Sequence, residues 1–78
     1  MYLAKAIEKR IDELCEERNL TWNKLCTICG ITQSTLNNIK HRPTKSVTVL
    51  TIIRICRGLE IETKDFFDSP LFDELEDD

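Results

Sequence analysis

The segment from residue 33 to residue 40, QSTLNNIK, carries the side chains best suited to specific chemical recognition in this 78-residue chain. Glutamine and asparagine amides can bond the N6 and N7 atoms of an adenine together, and a serine hydroxyl can donate or accept. The segment contains no carboxylate that would repel a phosphate. A polar face also occurs on any soluble helix, but basic residues on both sides favour contact with double-stranded DNA. The predicted base-reading residues are Gln33, Ser34, Asn37 and Asn38.

The residues on either side of this segment have side chains that can bind the phosphates of a DNA backbone. Hydroxyl, amide and cationic side chains bond phosphate oxygens, and the first amides of a helix attract anions. The indole N–H of Trp22 could take part, or its ring could only cover core surface, and Arg42 and Lys45 could belong to an ordinary solvated loop. The predicted phosphate-binding residues are Thr21, Trp22, Asn23, Lys24, Thr35, Lys40, His41, Arg42, Lys45 and Thr48.

The charge of the chain is divided along its length. The formal net charge is −3, which taken alone argues against a polyanionic partner. Residues 60–78 carry a net charge of −8, however, and residues 1–59 carry +5. No acid lies between Arg18 and Leu59, where there are seven bases. The distribution therefore favours a nucleic-acid partner for residues 1–59.

Four cysteines raise the question of a metal or redox site. Cys26 and Cys29 have the CxxC spacing of zinc and redox motifs, but Cys15 and Cys56 lie on the apolar faces of other predicted helices. A thioredoxin-type motif needs a preceding strand, and none is predicted. Small core residues explain all four positions. We expect no metal and no cofactor, with a thiol-based sensor as the alternative.

Catalytic and membrane roles find little support in the sequence. His41 is the single histidine, so no catalytic pair of cysteine and histidine is indicated, and the acids near the carboxyl end lack surrounding pocket residues. No apolar run approaches the roughly 18 residues of a membrane span, and the first residues turn charged too early for a signal peptide. We expect a cytoplasmic protein that is not an enzyme, has no small-molecule substrate and keeps its thiols reduced.

The apolar residues recur at helical spacing, and no segment alternates with the period of a strand. A chain of this size has room for one compact domain with a thin core, which closely packed helices fill well. The pattern therefore predicts an all-α bundle of five helices. Their predicted ranges are 3–19, 22–29, 33–40, 49–58 and a short helix around 65–68.

Capping residues define the expected ends of these helices. Thr21, Thr32 and Thr48 can each accept a hydrogen bond from the free amides that follow them. Gly30 can end the second helix in the left-handed conformation, and Gly58 can do the same for the fourth. The fourth helix is expected to bury an apolar set: Val49, Ile52, Ile53, Ile55, Cys56 and Leu59.

The carboxyl end is predicted to differ from the rest of the chain. Residues 1–68 form the predicted domain, and residues 69–78 form an acidic tail. Its charge predicts a solvated segment, although its apolar residues could dock a helical turn on the domain. Phe67, Leu71 and Phe72 are the candidate dimer contacts, and closure of the protein's own core is their other possible role.

The twenty residues WNKLCTICGITQSTLNNIKH, from 22 to 41, fit the helix-turn-helix pattern. In that pattern a small residue lets two helices approach, a glycine makes the turn, and apolar residues form the wedge between helices. From about residue 11 to residue 67 the chain resembles the phage-repressor class of regulators, the Cro-like or xenobiotic-response-element family. The matching segments are RIDELCEERNLTWNKLCTICGITQSTLNNI and TVLTIIRICRGLEIETKDFF. The seven matching positions of the motif are Leu25, Cys26, Cys29, Gly30, Ile31, Leu36 and Ile39.

This resemblance implies a lambda-repressor-like domain that binds an inverted-repeat operator as a homodimer, with the third helix in the major groove. The family often joins its first helix to the end of its third by an arginine–glutamate ion pair. This chain has Cys15 and Lys40 at those places, which leaves Lys40 available for phosphate. The predicted function is a sequence-specific transcriptional regulator, most simply a repressor. The alternative is a protein-interaction module of the antitoxin or anti-repressor type on the same fold.

Overall fold

A computed structural model of the chain describes residues 1–41 and 47–76. Within them it contains five α-helices and one 3₁₀ turn. The elements are α1 (Leu3–Glu17), α2 (Trp22–Cys29), α3 (Gln33–His41), α4 (Val49–Leu59), α5 (Thr63–Phe67) and the 3₁₀ turn Pro70–Phe72. The all-α prediction is therefore confirmed. None of the helices described is long and apolar enough to cross a membrane.

The predicted threonine caps are present at the starts of three helices. In each case the threonine Oγ1 accepts a hydrogen bond from the backbone N–H three residues later. The distances are 3.1 Å for Thr21, 3.2 Å for Thr32 and 3.2 Å for Thr48. Each cap pairs an amide that its helix leaves without a partner. The starts of α2, α3 and α4 are therefore fixed by local sequence.

Three helices end on a residue in the left-handed conformation. These residues are Asn19, Gly30 and Glu60, with φ of 54°, 68° and 58°. In each case the next residue donates its backbone N–H to a carbonyl five residues earlier, at 2.9 to 3.0 Å, and packs its apolar side chain against the core. This combination of a hydrogen bond and an apolar contact ends a helix sharply.

Two predicted helix ends are wrong for this reason. The first helix ends at Glu17 and not at residue 19, because Asn19 takes the left-handed conformation. The fourth helix continues through Gly58 to Leu59, and Glu60 is the left-handed residue that follows it. Gly58 has a packing role instead, since a Cβ added there would lie 2.4 Å from the Sγ of Cys29. Its missing side chain lets α4 approach α2 closely.

The core is built from buried residues of α1, α2, α3 and α4, together with Phe66 of α5. Val49 does not join it, contrary to the prediction, and is 69% exposed. It occupies the first position of α4, one turn before the first core residue of that helix. Ile53 is only partly buried. The core residues of α4 are Ile52, Ile55, Cys56 and Leu59.

Residues 69–76 dock on the rest of the protein. Phe72 packs against the core, and its ring centroid lies 6.2 Å and 5.0 Å from those of Phe66 and Phe67. The backbone N–H of Glu76 donates to the carbonyl of Met1 at 3.0 Å, and its carboxylate pairs with the terminal ammonium at 3.3 Å. The docked alternative therefore describes these residues better than a solvated tail. The domain boundary at residue 68 stays a prediction.

Candidate nucleic-acid interface

Helix α3 has a buried side and an exposed side. Leu36 and Ile39 are buried, and α3 packs against α1 and α2. Positions 33, 34, 37 and 38 lie one turn apart in pairs, so their side chains share one face of the helix. All four are exposed. We call this set the reading face: Gln33, Ser34, Asn37 and Asn38.

A hydrogen bond to α2 orients one end of the reading face. The Nε2 of Gln33 donates to the Oδ1 of Asn23 at 3.2 Å. An amide nitrogen carries two N–H groups, so one of them and the carbonyl oxygen remain available. Those are the two groups that a bidentate contact with adenine uses. Asn23, predicted as a phosphate ligand, therefore also positions the Gln33 side chain.

The predicted phosphate-binding residues that the structure describes surround the reading face. Thr21, Asn23 and Lys24 lie exposed at the start of α2, and Lys40 and His41 lie exposed at the end of α3. Thr35 is half-buried within α3, and Thr48 is exposed before α4. Arg42 and Lys45 lie outside the described residues.

Trp22 has a contact that the sequence did not indicate. Its Nε1 donates to the Oδ1 of Asp12 on α1, and its half-buried ring packs against the core. The Nζ of Lys40 lies over the ring, 4.7 Å from its centroid. The indole N–H is therefore occupied within the protein. Its contact with a phosphate stays a prediction, and it would require the bond to Asp12 to open.

A groove of about 290 Å³ separates the reading face from the start of α4. Asn38 of the reading face lines one side, and Leu50 and Arg54 of α4 line the other. The prediction did not single out Arg54, although it belongs to the run of seven bases without an acid. The sequence signal was present, but helical spacing alone does not show that Arg54 of α4 and Asn38 of α3 line the same groove. Leu50 is 54% exposed.

The charges of the described residues are arranged in favour of an anionic ligand. Ion pairs involve α1 and the carboxyl-terminal part of the chain, for example Lys5 with Glu8 and Lys64 with Glu62. Within the described structure, Lys24, Lys40 and Arg54 pair with no carboxylate. No carboxylate of the described residues therefore occupies these cations, and they are available to an anionic partner.

The four cysteines are buried, as the core interpretation predicted. The Sγ of Cys29 donates to the carbonyl of Ile55 at 3.6 Å. Burial raises the pKa of the Cys29 thiol to about 11, with a smaller contribution from the neighbouring thiols. Burial is also the main cause of the raised pKa of Cys15, Cys26 and Cys56. Buried, protonated thiols are poor nucleophiles.

The predicted dimer contacts divide between two environments. Phe72 packs against the core and Leu71 is half-buried, which fits closure of the protein's own core. Phe67 is 40% exposed. Contact of these residues with a second copy stays a prediction.

Comparisons with known proteins agree with this arrangement. Residues 10–70 match a family model of the Cro/C1-type HTH DNA-binding domain. Among solved structures, the chain is similar to the crystal structure of the prophage Lp1 protein 11, with a TM-score of 0.83 and 34% sequence identity. That similarity covers 96% of this chain and 100% of the prophage chain. No curated protein matches the sequence.

Proposed function

The chain belongs to the Cro/C1-type helix-turn-helix DNA-binding family, and from this premise we propose that it is a sequence-specific transcriptional repressor. It binds an inverted-repeat operator as a homodimer and inserts α3 into the major groove. The exposed reading face of α3 carries this proposal: it is free of acids and is bordered by cations that pair with no carboxylate of residues 1–41 and 47–76. The family is one of DNA-binding regulators rather than enzymes.

The reading face supplies the sequence specificity. Gln33 and Asn38 each present an amide that can bond the N6 and N7 atoms of one adenine. Asn23 holds the Gln33 amide in place, which reduces the freedom lost on binding. Ser34 and Asn37 complete the contacts with base edges.

The surrounding residues fix the domain on the DNA backbone. The starts of α2 and α4 present the first amides of a helix at the positive ends of the helix dipoles. Lys24, Lys40 and Arg54 add charge, and each phosphate neutralised releases counterions. Affinity should therefore fall steeply as the salt concentration rises.

Two copies would read the two halves of an operator. For this class of domain, half-sites lie about one helical turn apart, roughly 34 Å. Phe67 and Leu71 are the candidate contacts between copies, since both retain exposed apolar surface. Repression would follow because a bound dimer occludes the DNA it covers.

The test begins with selection of bound fragments from random DNA, followed by fluorescence anisotropy titrations across a salt series. Gln33→Ala and Asn38→Ala should each weaken specific binding by about 1–3 kcal/mol, or about 5- to 150-fold. Lys9→Ala, an exposed change on α1, is the control and should leave affinity within about twofold.

Unchanged operator affinity in both reading-face variants would contradict the assignment of α3. Wild-type protein that binds DNA without a salt dependence, or not at all, would favour the protein-interaction module instead. Sedimentation with and without the selected operator tests the homodimer.

A further inference from the structure

Side chains from α1, α2 and α3 contact one another in turn near the carboxyl end of α3. The Asp12 carboxylate of α1 accepts the indole N–H of Trp22 at the start of α2. The Lys40 ammonium of α3 lies 4.7 Å from the centroid of that indole ring. We call these three residues the Trp22 bridge. The bridge joins the helices at the place where Cys15 and Lys40 cannot form an ion pair.

We propose that Asp12 is a positioning residue for DNA binding, which acts through Trp22 to hold the Lys40 ammonium ready to bond a phosphate. This inference rests on the proposed function, because it requires α3 to lie against DNA. Asp12 itself does not contact the DNA. Within the described structure it forms no ion pair with Lys40, so its effect passes through the indole.

The chemistry of each group supports this division of roles. An indole has a single N–H donor, so the bond to Asp12 fixes the orientation of the Trp22 ring. The face of a tryptophan ring attracts an ammonium more strongly than other aromatic faces do. The ring occupies one side of the Lys40 ammonium, whose three N–H groups point in different directions. A phosphate oxygen can therefore bond the other side without displacing the ring.

Holding the lysine in advance should strengthen binding. Ordering a long, flexible side chain at an interface lowers affinity by a factor of about 2 to 10. Because the Trp22 bridge already orders Lys40 in the free protein, DNA binding should avoid this loss. Burial is the main cause of the raised pKa of the Cys15 thiol, and both charged groups of the bridge also affect it. The Asp12 carboxylate raises this pKa further, and the Lys40 ammonium lowers it. Both groups therefore lie near the same buried residue of α1.

The negative charge of Asp12 has an opposite effect that the experiment must separate. A carboxylate near the interface repels phosphates, so removal of its charge alone should strengthen binding. Asp12→Asn and Asp12→Ala both remove the charge, but only asparagine retains an oxygen that can accept the indole N–H. The comparison between these two variants isolates the positioning effect.

The first measurement needs no DNA. In NMR spectra of the free protein, the ring current of Trp22 should shift the Lys40 side-chain protons upfield in the wild type and in Asp12→Asn. The shift should shrink in Asp12→Ala and in Trp22→Phe, whose phenyl ring has no N–H. An equal shift in Asp12→Asn and Asp12→Ala would overturn the role of Asp12 in fixing the ring.

The second measurement is a DNA titration in two backgrounds. With Lys40 present, Asp12→Ala should bind the selected operator about 2- to 10-fold more weakly than Asp12→Asn. In the Lys40→Ala background the two should agree within about 1.5-fold, because no ammonium remains to be positioned. Thermal melts of all variants confirm that they are folded.

The outcomes separate this inference from the proposed function. Operator binding by the wild type with equal affinities for Asp12→Asn and Asp12→Ala would refute the positioning role alone. The same difference persisting in the Lys40→Ala background would show that Asp12 acts on the fold and not through Lys40. Absence of DNA binding by the wild type would refute the proposed function and this use of the bridge together.

Discussion

Replacing Gly58 by alanine adds a methyl group where α4 meets α2. The added Cβ would lie 2.4 Å from the Sγ of Cys29 and 2.9 Å from its Cα. Carbon atoms in contact ordinarily lie about 3.5–4.0 Å apart. A new rotamer of Cys29 can move the sulfur but not the Cα. The two helices must therefore separate locally by roughly half an ångström or more.

Two effects of opposite sign determine how much Gly58→Ala changes the free energy of unfolding. Overpacking of a tight contact costs about 1–3 kcal/mol. Alanine inside a helix recovers about 0.5–1 kcal/mol relative to glycine. We expect the free energy of unfolding to fall by about 1–2 kcal/mol. For a domain of this size the melting temperature should then fall by about 5–15 °C.

Urea and thermal denaturation followed by circular dichroism measure this loss. Gly30→Ala is the matched control, because an added Cβ there has no atom within 4 Å and meets only the left-handed φ of 68°. Its cost should be about 1–2 kcal/mol and should not depend on Cys29. The cost of Gly58→Ala, in contrast, should shrink only in part in a Cys29→Ala background, because the sulfur is removed but the Cα of residue 29 remains 2.9 Å from the added Cβ.

A Gly58→Ala variant that melts at or above the wild-type temperature would refute the reasoning, since helix propensity would then outweigh the contact. Complete loss of the cost in the Cys29→Ala background would show that the sulfur alone, and not the backbone of α2, is the obstacle.

Two further predictions concern backbone conformation and pH. Glu60→Gly should raise the free energy of unfolding by about 1 kcal/mol in urea titrations, because Glu60 has a left-handed φ of 58° that glycine adopts without strain. A loss of stability would contradict this. The pKa of the Cys29 thiol rises from its ordinary 9.0 to about 11, so the folded state keeps a proton that the unfolded state releases. The stability linked to this thiol should be complete below pH 9 and decline as pH rises toward about 11, and Cys29→Ala should flatten that decline in urea titrations.

Local signals in the sequence were sufficient to predict α2 and the exposed side of α3. Thr21 and Gly30 define α2 because a hydroxyl cap and a left-handed glycine act within a few residues. The buried residues Leu36 and Ile39 follow from helical spacing, and they determine which side of α3 is exposed. The reading face could therefore be predicted without knowledge of the other helices.

Other features depend on how distant elements meet. The left-handed residues that follow α1 and α4 were missed because neither is a glycine: asparagine takes this conformation only sometimes and glutamate rarely, and here the core holds the apolar residue that follows each of them. The bond between Trp22 and Asp12 was missed because helical spacing within α1 does not show which residue of α2 lies beside Asp12. Arg54 lines the groove opposite Asn38 because α3 and α4 both pack against α2, and this arrangement depends on tertiary contacts.

The contact between Glu76 and Met1 bears on the order in which the chain folds. It joins residues from opposite ends of the sequence. Contacts within one helix, or between consecutive helices, join residues that are much closer together along the sequence. Local contacts form quickly, and the entropy cost of closing a loop grows with the length of chain that it encloses. We therefore expect residues 70–76 to dock after the helices have assembled. The same segment should then be the first to detach when folding is reversed.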